Sequence, residues 1–211
     1  MSEAVERTRS ARMAEIRSAA LELFTQLGYP ATTMADIGAA VGMKGPSLYK
    51  HVASKQDLLV DIMTSTMTDL LDAHQAAVAT ANHPAERLRR ATEAHVRYHT
   101  RHRLEAFVGN RELRSLVEPH RSHVLSLRAD YEVGFRRLVA DGVDSGHFQV
   151  TSTRLASYAI LDLGMGVSSW YRDDGDLSED AVVWQYGELA LRIVGLCPGA
   201  SAGTVVTPPG P

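Results

Sequence analysis

The sequence predicts an all-α chain, and three observations carry the prediction. Apolar residues recur at i, i+3, i+4 and i+7 along most of the chain, the spacing of a helix buried on one side. Thr33 with Asp36, and Ser54 with Asp57, stand three apart at the head of such stretches, the spacing of a helix N-terminal capping box. No segment alternates apolar and polar residues as a half-buried strand does, and no glycine-rich phosphate loop or fixed-period repeat is present.

The elements follow in order. Residues 1 to 9 are polar and are expected to be frayed, with Arg7 and Arg9 able to reach a phosphate or a minor-groove edge. From Ser10, the residues Met13, Ile16, Ala20, Leu23, Phe24 and Leu27 repeat at helical spacing, and Gly28 stands where a left-handed residue stops the helix. Thr33 then caps a short second helix whose Met34, Ile37 and Val41 form one apolar stripe, and Gly42 supplies the turn. Gly45-Pro46 opens a third helix, since a proline in the first turn lacks only a donor that would be orphaned there. Leu48 and Val52 are its buried anchors, which leaves Lys44, Gly45, Ser47, Tyr49, Lys50 and His51 pointing outward. A compact row of donors on a helix too short to stand alone is the arrangement of a helix-turn-helix that reads duplex DNA. Ser54 and Asp57 cap a long fourth helix carrying Leu58, Leu59, Ile62, Met63, Leu70 and Leu71 to about residue 81. No flexible linker separates it from the three-helix head, so it is the natural lever between the two halves.

The stretch 33–58 resembles the DNA-binding domain of the tetracycline-repressor family, whose signature is a T-x-x-D-I-A helix, a glycine turn, and a recognition helix ending in L-Y-x-H-F before a capped K-x-x-L. The matching residues are Thr33, Asp36, Ile37, Gly42, Leu48, Tyr49, His51, Val52, Ser54, Lys55 and Leu58, with Gly38 where alanine is usual and Val52 where phenylalanine is common. The resemblance is specific over roughly residues 10 to 60 and is a match of helix pattern beyond. It implies that Thr33, Ser47, Tyr49, His51 and Lys55 contact mainly phosphates, and that Lys44, Gly45, Pro46 and Lys50 lie nearest the base edges.

After Asn82-His83-Pro84 a fifth helix is expected over about 84 to 103, with Leu88, Ala91, His95, Tyr98 and His102 along one face and His99 beside it. These histidines lack an acidic or cysteine partner at ligand spacing, so they are read as core or pocket residues and no metal is assigned. Gly109-Asn110, within Ala106 to Arg111, is expected to bend the chain. Pro119 restarts a long helix to about Asp141, closed by Gly142 to His147. An eighth helix over about 152 to 171 carries Leu155, Tyr158, Ala159, Asp162, Met165 and Gly166 near one face and ends in Trp170-Tyr171-Arg172. Ser178 caps the last helix, which carries Val182, Val183, Tyr186, Leu189, Ala190, Ile193 and Val194. The closing stretch from Pro198 is uncharged and rich in proline and glycine, and is expected to be a disordered tail. The expected organisation is a helix-turn-helix domain at 1–53, a helical effector-binding and dimerisation domain at 54–197 and a tail at 198–211.

Composition is compatible with this. An apolar fraction of 45% over 211 residues supplies a real core. No run approaches the roughly 18 apolar residues of a membrane span, so the cytoplasm is expected. A single cysteine, Cys197, excludes an intramolecular disulfide and reads as a small apolar residue near a helix end. The net charge of −3 is unevenly placed: all three lysines lie in the helix-turn-helix stretch, and residues 87 to 137 hold twelve arginines against six acidic residues.

No nucleophile elbow, metal motif, phosphate loop or cofactor motif organises the Ser, His and Asp residues, so an enzyme is not expected. The expected function is a regulator that binds a double-stranded operator as a homodimer through its last two helices and leaves it when a small molecule binds. A DNA-organising protein without an effector is the competing reading, and it predicts little sequence preference. The stretch V-G-N-R-E-L-R-S-L and the W-Y-R before an acidic turn resemble family members that govern fatty-acid, steroid or other acyl-coenzyme A catabolism. An anionic head with an apolar tail would use Tyr98, His102, Phe107, Leu161 and Met165 as an apolar lining and Arg111, Arg114 and Arg172 as anion ligands. An uncharged lipophilic compound is the other effector class.

Overall fold

A computed structural model describes residues 2–196, with side chains from residue 7 onward. Cys197 and the stretch 198–211 lie outside the described residues. Among the described residues nine α-helices follow one another: α1 (Ser2–Leu27), α2 (Met34–Ala40), α3 (Gly45–Leu48), α4 (Lys55–Ala79), α5 (Pro84–Arg101), α6 (Arg103–Arg111), α7 (His120–Asp144), α8 (Thr153–Trp170) and α9 (Glu179–Ile193), with a short 3-10 turn at Leu113–Ser115. No strand occurs among the described residues, so the all-α expectation holds. None of these helices is long and apolar enough to cross a membrane.

Two compact units are built from this order, Met1–Thr66 with Leu104–Leu125, and Met67–Arg103 with Ser126–Pro211. Unit 1 therefore holds more than residues 1–53. Ile16, Ala20, Leu21 and Phe24 of α1, Ile37 of α2, Leu48 of α3 and Leu58, Leu59, Ile62 and Met63 of α4 form one buried cluster, and Val108, Leu116 and Val124 complete it. Arg17 ties α1 to α4 by donating to the Ser65 hydroxyl and pairing with Asp61 at 3.5 Å.

Unit 2 is organised around α5, whose buried Leu88, Ala91, His95, Val96 and Tyr98 meet the other helices of the unit. Met67 and Leu70 of α4, Tyr131, Phe135, Leu138 and Val139 of α7, Ile160 of α8 and Ala190 and Leu191 of α9 share the main cluster. Val96, Val167, Tyr171, Val182 and Val183 make a second. Gly164 lets α8 close on α5: a β-carbon there would lie 2.3 Å from Cδ2 of His95. At the start of α9, Glu179 accepts from Arg97, Thr100 and Arg101, which hold its carboxyl down at about 2 through hydrogen bonds and charge against the opposing effect of burial.

Two expectations are corrected. Residues 2–9 are helical rather than frayed, since the alanine, glutamates and arginines in this stretch have good helix propensity. The bend expected at Gly109-Asn110 falls instead at His102, whose φ of −119° and ψ of 52° interrupt the chain between α5 and α6. Gly109 is buried inside α6, where a helical glycine costs only about 1 kcal/mol.

Candidate functional site

The outward row forms as the spacing predicts. The Thr33 hydroxyl accepts from the Asp36 N–H at 3.1 Å, and the Asp36 carboxylate accepts from the Thr33 N–H at 2.8 Å, closing the capping box of α2. The Thr33 hydroxyl, which also donates to the Asp36 carboxylate at 2.7 Å, and then the Thr33 N–H hold the exposed Asp36 carboxyl below the usual range. Gly42 turns the chain at φ +65°. Gly38 lies where the turn folds back: Met43 donates its N–H to the Gly38 carbonyl at 2.7 Å, and a β-carbon on Gly38 would sit 2.9 Å from the Met43 carbonyl oxygen. This close approach accounts for glycine at the position where the family usually has alanine.

A single turn, α3, is mounted by one side chain. Leu48 is fully buried, Val52 follows it into the cluster, and Lys44, Gly45, Pro46, Ser47, Tyr49 and Lys50 are all exposed. The Ser54 hydroxyl accepts from the Asp57 N–H at 3.1 Å and starts α4. Thr33 also stays exposed, whereas His51 is half-buried. Lys55 is partly engaged within the protein: its ammonium donates to the carbonyls of Tyr29 and Thr32 at 2.7 and 2.6 Å and lies 4.3 Å from the centre of the Tyr29 ring. Two of its three donors fasten the loop between α1 and α2, a role that helical spacing does not signal.

The expected effector residues divide between the units. In unit 2, Tyr98 is buried and stacks on His102 with ring centres 4.3 Å apart. Leu161 packs against the main cluster, Met165 is half-buried, and the exposed Arg172 pairs with Asp174 at 3.0 Å. In unit 1, the guanidinium of Arg111 lies 5.0 Å from the centre of the half-exposed Phe107 ring. Arg111 and Arg114 share an open cavity of about 390 Å³ with Asn110, Leu113 and Arg121. Arg121 was not anticipated, because a 3-10 turn and a restarted helix, not helical spacing, bring it beside the other two.

The histidines of α5 are core residues with defined partners. His95 is buried; its Nε2–H donates to the Leu161 carbonyl at 3.1 Å, which leaves Nδ1 to accept from the Tyr131 hydroxyl at 3.0 Å. His99 packs edge-on against it with centres 4.5 Å apart, and His74 of α4 lies against Phe135 at 4.9 Å. Burial pushes His74 and His95 down to about 4 and His99 lower still. Burial likewise raises the Tyr131 phenol. With both ring nitrogens of His95 engaged, a metal reading of this set loses its central ligand. Among the described residues no group of three or more His, Cys, Asp or Glu is placed to hold a metal ion.

Comparison with known proteins finds a match for each half of the chain. Residues 16–62 match the bacterial regulatory proteins of the tetR family, and residues 81–194 match the tetracyclin repressor-like C-terminal domain. The HTH-type transcriptional repressor KstR2 of Rhodococcus jostii strain RHA1 is 28% identical over 87% of this chain and 91% of its own length. A crystal structure of a tetR-family regulatory protein from Rhodococcus RHA1 is 34% identical, covers 88% of this chain and 97% of that one, and superposes with a TM-score of 0.81. The fold is shared also with AibR, solved in complex with isovaleryl coenzyme A and operator DNA, at 22% identity, 87% and 97% coverage and a TM-score of 0.74. With both halves matched, this chain belongs to the tetR family of transcriptional regulators, whose members are regulators and not enzymes.

Proposed function

We propose that the chain is a repressor that binds a pseudo-palindromic DNA operator as a homodimer and is released by a small-molecule effector, an acyl-coenzyme A in the reading preferred here. The observation that carries the DNA half is the exposed row on α3 held by the buried Leu48. Lys44, Gly45, Pro46 and Lys50 are assigned to base edges, and Thr33, Ser47, Tyr49, His51 and Lys55 to phosphates. In a dimer the two α3 helices address successive major grooves about 34 Å apart.

Dimerisation is assigned to α8 and α9. Leu155, Tyr158, Leu163 and Trp170 are exposed at helical spacing on α8, and Leu189 is exposed on α9. Such a stripe on one protomer and its copy on the other close a four-helix bundle. The effector is assigned to Tyr98, His102, Phe107, Arg111, Arg114, Leu161, Met165 and Arg172. The name of the relative KstR2 as a repressor, and the isovaleryl coenzyme A in the AibR complex, support the repressor and acyl-ester readings. Release requires tighter binding to the DNA-incompetent arrangement; a shift from 1:99 to 99:1 needs about 5.5 kcal/mol of difference.

The test is a selection of genomic fragments by the full chain, followed by titration of the operator complex with acyl-coenzyme A thioesters, their free acids, coenzyme A alone and uncharged lipophiles. Few palindromic fragments, a dimer by light scattering and release by thioesters are expected. Unselective fragment recovery would remove the operator reading, a monomer at micromolar concentration the dimer, and release by free acids as readily as by thioesters the acyl-ester reading.

A further inference from the structure

Unit 1 contains a concavity that the reading row does not use. It is lined by Asn110, Arg111, Leu113, Arg114 and Arg121, and its volume of about 390 Å³ is at the small end of the range for small-molecule sites. Several arginines elsewhere in the chain are answered by carboxylates. Arg89 is answered by Glu86 and Glu93, Arg97 and Arg101 by Glu179, and Arg172 by Asp174. Among the described residues, Arg111, Arg114 and Arg121 form no ion pair, and the Arg111 guanidinium lies over the Phe107 ring. The neighbouring acids bond to other groups, and Glu118, held below the usual carboxylate range mainly by Ser122, also feels the charge of Arg121. Glu112 accepts from the Tyr29 N–H at 3.4 Å and the Ser115 hydroxyl at 2.7 Å, and Glu118 accepts from the Ser122 N–H at 3.2 Å. Three guanidiniums line one concavity whose lining holds no carboxylate; they repel one another, and an anion relieves that repulsion.

We propose that this cavity binds the phosphate groups of a small-molecule ligand carrying two or more phosphates, and that the ligand acts on the DNA-reading head from there. The proposal rests on the effector reading above and assigns the anionic part of the effector to Arg111, Arg114 and Arg121, without Arg172. Three guanidinium forks match the charge and the planar oxygen pairs of a diphosphate. The coupling is local. The residues lining the cavity alternate along the chain with Val108, Leu116 and Val124, which belong to the same buried cluster as Phe24, Ile37 and Leu48. Glu112, between Arg111 and Leu113, holds the N–H of Tyr29, and the Tyr29 carbonyl holds Lys55. A ligand that draws the arginines inward displaces the backbone on which the head is packed.

The full chain is titrated calorimetrically with inorganic pyrophosphate, ADP, an acyl-coenzyme A thioester, the matching free acid and sulfate, and operator binding is followed in parallel. Arg114→Gln and Arg121→Gln remove one fork each at exposed positions, so folding is retained. Each is expected to weaken ADP and thioester binding by about tenfold or more, as loss of a charge-assisted hydrogen bond does, and to leave the free acid unaffected. Arg121→Lys is expected to recover only part of the loss, because it restores the charge without the fork. Equal thioester binding by wild type and both Gln variants overturns the site; if the thioester still releases the operator, the effector reading stands without it. Arginine-dependent binding of ADP and pyrophosphate, with no release by any acyl compound, supports the cavity and removes the acyl-ester reading. Displacement of ADP by equimolar sulfate overturns the polyphosphate assignment. Weaker operator binding by both Gln variants with no ligand present overturns it too, by making these arginines contacts to DNA phosphates.

Discussion

Polar side chains do opposite work in the two units. In unit 1 the row from Lys44 to Lys50 faces outward, apart from one fully buried leucine, and each polar group is open to a partner from outside. In unit 2 the polar groups of α5 face inward, where His95 is engaged at both nitrogens and His99 is pressed against it. A donor on a helix too short to have an inner face is informative by itself, whereas a histidine on a long helix means little until its neighbours are known.

The comparison breaks most readily with acid. His74, His95 and His99 titrate below the ordinary value because burial disfavours their charged forms. As pH falls below about 6.5, the unfolded chain takes up protons that folded unit 2 refuses, so stability is present above that pH and is lost towards pH 4. At pH 5 each such histidine removes about 2 kcal/mol, and the three together about 6 kcal/mol. Denaturant unfolding at pH 7.5 and pH 5 should show this loss, and His99→Leu should cut it by about a third. An acid-insensitive midpoint would mean that these side chains are solvated, like those of the reading row.

Gly164→Ala tests the same interior by space rather than charge. Its β-carbon meets the His95 ring at 2.3 Å, so the expected cost is about 1–3 kcal/mol, seen as a lower unfolding midpoint. An unchanged midpoint would show that α8 can withdraw from α5 freely.

On the outward side, Lys50→Ala should cost roughly 1–3 kcal/mol at particular base pairs, read from a panel of single-base operator variants. Lys55→Ala should weaken binding to every sequence and reduce the salt slope by about one. Because Lys55 also fastens the carbonyls of Tyr29 and Thr32, it should lower thermal stability as well, by about 1 kcal/mol. Equal losses on operator and random DNA for Lys50→Ala would contradict its assignment to base edges.

The smallest effect is expected for Gly38→Ala. Better helix propensity contributes about 1 kcal/mol, and the 2.9 Å approach to the Met43 carbonyl opposes it, for a net loss under about 1 kcal/mol. A net gain measured by thermal unfolding would show that the turn yields.

Much of this was legible in the residues because it is local. Capping spacing, a glycine turn and one anchor between polar neighbours fix α2 and α3 within about twenty residues, and the structure reproduces each. The break at His102, the capture of Lys55 and the arrival of Arg121 beside Arg111 were not legible. Each depends on where a distant or irregular segment lies, and no periodicity within one helix encodes that. Gly38 is intermediate: its identity was visible as a departure, but the reason needed the Met43 carbonyl in place.

The mounting of α3 on Leu48 alone bears on how such a protein acquires new targets. Six positions around that anchor, from Lys44 to Lys50, can be exchanged without repacking any interior, and a side chain at Gly45 would meet no atom within 4 Å. On the proposed assignment of this row to DNA, operator preference is a replaceable tip on a fixed mount. Duplicated copies of the chain can diverge in what they read while folding identically, and a designer can randomise the tip while leaving the scaffold untouched.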